Sequence, residues 1–184
     1  MSSETGSMIQ GAIRFAIVSV AAYGIWAFGG RMSTTVLYSS ITAAYLGLSG
    51  LLLHPLLGSE PKQIGKFYAV FVPAFLAYAV LWCLGWFGVK GHEGEILGSA
   101  AGLAVFVAIF GKVFQAKGVF LKTWAVLFLC HTVGYTLGGM LYELLGKQEL
   151  PAAVARLSWG LGHGLGFGAG LGYLLWHCQP RVEA

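Results

Sequence analysis

Residues 67–89 read FYAVFVPAFLAYAVLWCLGWFGV, with no charged side chain among them. A helix rises 1.5 Å per residue, so ~20 residues cross a hydrocarbon core about 30 Å thick. This stretch is long enough to span. Five more apolar stretches lie on either side of it, at 9–28, 34–57, 96–114, 123–145 and 157–176. Little of the 184 residues is left over. The sequence predicts an all-α integral membrane bundle of six transmembrane helices, one polytopic domain over 1–184, with the lipid bilayer as its partner.

Composition agrees. Apolar residues make up 57% and charged residues 10%, against about 25% charged in a soluble domain. There is no Asp, and all seven acids are Glu. The net charge of +4 marks loops and orientation rather than nucleic-acid binding. Cys83, Cys130 and Cys178 form no CxxC pair, so they read as small buried hydrophobes rather than as a disulfide or thiolate site. The N-terminal MSSETGSMIQ lacks the basic region and cleavage pattern of a signal peptide, so 9–28 is expected to remain as the first span.

With the N-terminus inside, Arg14, Lys62, Lys66, Lys112, Lys117, Lys122 and Arg181 face the cytoplasm. Arg31, Lys90, Lys147 and Arg156 then face out. Seven against four predicts that both termini are cytoplasmic. The clusters at 58–62 (GSEPK) and 91–95 (GHEGE) read as turns, and Pro151 suits the approach to the last span. Pro55 and Pro73 read as tolerated kinks.

The chain also divides into threes. Ile9-x-Gly11 opens span 1 and Ile96-x-Gly98 opens span 4. Tyr23-Gly24 and Phe110-Gly111 follow at the same distance. GLLLHPLLG at 50–58 echoes GGMLYELLG at 138–146, and Trp82 and Trp176 sit near the ends of spans 3 and 6. Three spans per half would make a 3+3 inverted repeat, an architecture of secondary transporters. Chance matching among Leu- and Gly-rich segments is the competing explanation.

Span 6 carries glycine at every second position, Gly160, Gly162, Gly164, Gly166, Gly168, Gly170 and Gly172. Residues four apart share a helix face, so 160, 164, 168 and 172 make one stripe and 162, 166 and 170 another. Small-xxx-small stripes let helix backbones approach closely in lipid. Two stripes predict that this helix lies between two neighbours at the centre of the bundle. The segment resembles the glycine zippers of oligomeric membrane rings and cristae-organising proteins. The resemblance covers this one helix, and the rotor-ring carboxylate has no counterpart. By the same reasoning Gly168→Leu should separate helices, while Gly168→Ala should do much less harm.

Ionisable groups deep in a bilayer are costly and tend to serve function. His131 falls near the midplane with Tyr135 and Tyr142 continuing its face, and His163 lies in the sixth span. One reading is a polar path. Glu143 and His163 lie toward the outside, His131 and Tyr135 at the middle, and His54, His177 and Lys112 toward the inside. A second reading is a b-type haem. His131 and His163 are its only plausible ligand pair, although helical rise places them at about 14 Å and about 21 Å from the inner side. No cofactor or metal is expected, since HxxxH, HExxH and paired carboxylates are all missing. With no Asp to orient a His and no Gly-x-Ser-x-Gly elbow, enzyme chemistry is not indicated. These features together point to a channel or secondary transporter for a small solute or ion, proton-linked through histidine. The alternative is a structural or accessory subunit of a homo-oligomer or larger membrane complex.

Overall fold

The computed structural model describes residues 3–58, 63–116, 118–148 and 150–179. It is all-helical. α1 spans Glu4–Phe28, α2 Thr34–Leu53, α3 Gln63–Gly88, α4 Gly91–Val113, α5 Phe120–Lys147 and α6 Ala152–His177. A 3₁₀ turn, His54–Leu56, continues α2.

The ends follow from local chemistry. The Ser3 hydroxyl accepts a hydrogen bond from the Gly6 N–H at 3.0 Å, and Glu4 sits in the favourable first turn. α1 therefore starts five residues before its apolar run. Ser33 caps α2 in the same way, accepting from the Val36 N–H at 3.4 Å. Pro55 has no N–H to donate, and the chain tightens into the 3₁₀ turn there.

The turn expected at 91–95 is instead the first turn of α4. Two successive residues with left-handed backbone, Lys90 (φ 66°) and Gly91 (φ 65°), reverse the chain by themselves. The following residues are thus free to be helical. Of the cluster at 58–62, only Gly58 falls within the described residues. Pro151 occupies the N-cap of α6, which starts five residues earlier than its apolar run.

Neighbours in the chain are neighbours in space, and α6 returns to α1, so the helices close a ring. The core is aromatic and aliphatic, including Phe15, Phe67, Phe71, Phe106, Phe110 and Phe167, all essentially inaccessible. The outside is also apolar. Ile9, Ile13 and Ile17 line an exposed face of α1, and Leu129, Val133 and Leu137 line one of α5. Such extensive exposed apolar surface suits lipid rather than water.

Among the described residues five helices, α1 to α5, are long and apolar enough to cross a membrane. They make this a helical integral membrane protein. α6 has the length, at 26 residues, but its glycines lower its hydropathy. It runs antiparallel along both α1 and α5. A Cβ on Gly164 would meet Ala16 and Ser19, and one on Gly172 would meet Ser7 and Met8. On its other side Gly162 lies against Gly138, Gly166 against Gly134, and Gly170 against Leu127.

Polar side chains close the helix ends. Arg14 donates to the Leu52 carbonyl at 2.9 Å, near the end of α2. Arg156 donates to the Trp26 carbonyl at 3.2 Å, near the end of α1, and lies 4.6 Å from the Trp26 ring centroid. Both cations complement the negative end of a helix dipole.

Candidate functional site

The buried face of α5 carries Leu127, His131, Gly134 and Gly138. The two glycines bring α6 close, and this proximity carries His131 to the side chains of the sixth helix. The rings of His131 and His163 meet at 5.4 Å between centroids, at 89°. Phe167 packs on both, at 5.0 Å and 5.6 Å.

Each histidine has a tyrosine partner. The Tyr78 hydroxyl of α3 and His131 Nε2 share a hydrogen bond of 2.7 Å. His163 Nδ1 lies 3.4 Å from the Tyr45 hydroxyl of α2 and 3.5 Å from Ser19 Oγ of α1. Ser19 and Tyr45 are themselves 3.1 Å apart. His131 Nδ1 and His163 Nε2, the remaining ring nitrogens, are buried with no protein partner among the described residues.

Tyr135 stacks on His131 at 6.0 Å and 9° and meets the His163 ring at 5.8 Å. Its hydroxyl donates to Glu95 Oε1 at 2.9 Å. Glu95 Oε2 lies 3.5 Å from His92 Nδ1, and the two side chains are 17% and 65% exposed. A line of polar groups therefore runs from the surface at the start of α4 inward through Glu95 and Tyr135 to the histidine pair.

On the other side of the pair the bundle is phenylalanine. Phe67, Phe71 and Phe75 stack along α3 at 5.1 Å and 5.5 Å. Phe106, Phe110 and Phe114 do so along α4 at 4.9 Å and 5.7 Å. These ring stacks fill much of that side, where the buried hydroxyls of Ser49 and Thr123 also lie.

The residues expected along the path fall in different surroundings. His131, Tyr135 and His163 come together. Glu143 is on the exposed surface of α5, because its position falls off the face that carries His131 and Gly138. Tyr142 joins a neighbouring aromatic group, 5.3 Å from Trp159 and 6.2 Å from Trp26. The inner stations have surroundings of their own. His54 Nδ1 bonds to the Gly50 carbonyl at 2.7 Å, His177 packs on Tyr173 and Trp176, and Lys112 is exposed.

Four contributors do not stand out in the sequence: Ser19, Tyr45, Tyr78 and Glu95. Hydroxyls in the middle of apolar spans are the available signal, since each needs a partner in lipid. Glu95 is masked by the turn-like composition of 91–95.

The two histidine rings meet edge to face, with no macrocycle's width between them. Among the described residues no group of three or more His, Cys, Asp or Glu is placed to hold a metal ion. No family model, no characterised protein and no solved structure matches this chain.

Proposed function

We propose that this is a small secondary transporter or channel whose central station is the His131–His163 pair and whose coupling ion is the proton. The observation that carries the reading is the placement of two contacting, deeply buried imidazoles at the end of a one-sided polar line, with phenylalanine beyond. Buried ionisable groups in membrane helices mark ion and solute pathways, and the Glu95–Tyr135 line leads to these two. The stacked phenylalanines act as the closed side of the pathway.

The reading includes a 3+3 inverted repeat, which four contacts at two helix crossings support. A Cβ on Gly11 of α1 would meet Gly168 and Gly172 of α6, and one on Gly98 of α4 would meet Leu81 of α3, while Gly85 meets Gly98 in turn. Subtracting 87 from 98 gives 11, from 168 gives 81, and from 172 gives 85, so one register relates both crossings. Tyr45–His163 and Tyr78–His131 are similarly related, because 131 − 45 = 86 and 163 − 78 = 85. The first half supplies the tyrosines and the second half the histidines. In this reading α6 is the sixth span, held between α1 and α5 by its two glycine stripes, and both termini are cytoplasmic.

The test is proton flux into vesicles reconstituted with the purified protein, under an imposed potential and against a panel of small solutes. Flux above protein-free vesicles, lost in His131→Gln and His163→Gln, is expected. The accessory-subunit reading takes its place if flux stays at background while native purification brings down a stable larger complex.

A further inference from the structure

We infer that the two free imidazole nitrogens, His131 Nδ1 and His163 Nε2, together hold one water-sized molecule that both donates and accepts hydrogen bonds. The inference rests on the reading of the pair as the central station. Both residues are buried, at 2% and 9% exposure. Both nitrogens lack a protein partner while the other nitrogen of each ring is taken by tyrosine. Buried polar atoms left unpaired are rare in folded proteins, because a water or ion commonly satisfies those that side chains do not. Other unpaired buried atoms occur among the described residues, Trp159 Nε1 near the pair among them, but these two belong to rings in contact with each other. Two on rings in contact call for one shared partner.

The spacing suits a single bridging molecule. The rings meet edge to face with centroids 5.4 Å apart, so the free nitrogens lie in one neighbourhood, and two hydrogen bonds of about 3 Å each let one molecule link nitrogens up to about 6 Å apart. Two to four polar partners are what a buried water needs. The surroundings select against anything larger or charged. The titratable groups facing the pair are Tyr23 from α1, Tyr45 from α2, Tyr78 from α3 and Tyr135 from α5. α4 contributes Glu95 only behind Tyr135. Phe15 and Phe167 complete the wall. No fixed charge among the described residues touches the rings, so a hydrated ion finds no compensation there.

A neutral imidazole has one N–H and one bare nitrogen. Depending on the tautomers the tyrosines select, the two free nitrogens are both N–H, both bare, or one of each. Water, with two hydrogens and two lone pairs, answers all three arrangements; ammonia, with three hydrogens and one lone pair, answers the last two.

Solid-state NMR of the wild-type protein in lipid bilayers, with ¹⁵N-labelled histidine, tests this directly. His131→Gln and His163→Gln spectra assign the resonances. Magnetisation transfer from bound water protons to His131 Nδ1 and His163 Nε2 is expected if water is the occupant. A correlation to added ¹⁵N-ammonium, absent with sodium chloride at equal ionic strength, is expected if ammonia takes its place. Free nitrogens that show neither contact overturn the inference. Flux that survives in wild type and is lost in His131→Gln would then leave the transport reading standing, so the two failures are distinguishable.

Discussion

Replacing Gly168 by alanine tests how tightly α6 is held. A Cβ at this position would fall 2.7 Å from the Phe15 Cβ and 2.9 Å from the Ala12 Cα, and against the Gly11 carbonyl oxygen. Carbon atoms rest at about 3.5–4.0 Å, so α1 must retreat by roughly 1 Å along its contact with α6. Two of the three obstructing atoms belong to backbone, which cannot swing aside. Overpacking of this kind costs ~1–3 kcal/mol, and alanine returns about 1 kcal/mol through helix propensity. The net expectation is destabilisation of up to about 2 kcal/mol. Alanine should still do less harm than leucine, as the sequence leads one to expect, but even its single added carbon meets backbone here. Gly47, inside α2, is the control, because nothing lies within 4 Å of a Cβ there. Gly47→Ala should gain the propensity term alone, about 1 kcal/mol. At about 2–4 °C per kcal/mol for a chain of this size, a separation near 2 kcal/mol places the two melting temperatures ~4–8 °C apart. Gly168→Leu adds further carbons to the same contact and should melt lower still. Unfolding in detergent followed by the fluorescence of the six tryptophans provides the readout. If Gly168→Ala melts with or above Gly47→Ala, close backbone contact does not hold α6 and the reasoning fails.

Further expectations concern the polar centre and the sidedness of the chain. Tyr78→Phe removes the partner of His131 Nε2 and should cost ~1–3 kcal/mol; with His131→Phe added, the total should fall short of the sum, as a double-mutant cycle of melting temperatures will show. Glu95→Gln keeps an acceptor for the Tyr135 hydroxyl, whereas Glu95→Leu does not, so the leucine variant should be less stable by ~1 kcal/mol; identical denaturation midpoints would remove Glu95 from the line. Cys83 is exposed and Cys178 buried, so a lipid-permeable maleimide should modify the first in the folded protein and the second only after unfolding, as read by peptide mass spectrometry. A single cysteine at residue 3 should react with a membrane-impermeant reagent only when the cytoplasmic face is open; reaction in intact cells would reverse the topology.

Helix existence is legible in the sequence because a run such as 67–89 has one stable form in lipid. Helix ends are not, because Ser3, Lys90 and Pro151 lie in polar flanks where capping geometry, not hydropathy, decides the boundary. His131 stands out as a lone ionisable group amid apolar sequence. Tyr45 and Tyr78 do not, being two aromatics among many. Which tyrosine meets which histidine is set by the register between helices far apart in the chain. That register depends on where glycines permit close approach. The exposed position of Glu143 and the inward position of Glu95 follow from the same non-local packing.

The composition of α6 bears on how the chain is made. A helix enters the bilayer from the insertion machinery in proportion to its own apolarity, and α6 is the one least able to do so unaided. It is also synthesised after α1 and α5, which are then available to receive its two faces. If α6 crosses the bilayer as the proposed sixth span, its insertion is an act of assembly, guided by protein surfaces already in the membrane. A nascent chain halted before residue 152 would display the small-residue grooves of Gly11 and Gly134 to lipid. Such an unfinished bundle offers membrane quality control a distinct surface to recognise, one that the complete protein conceals.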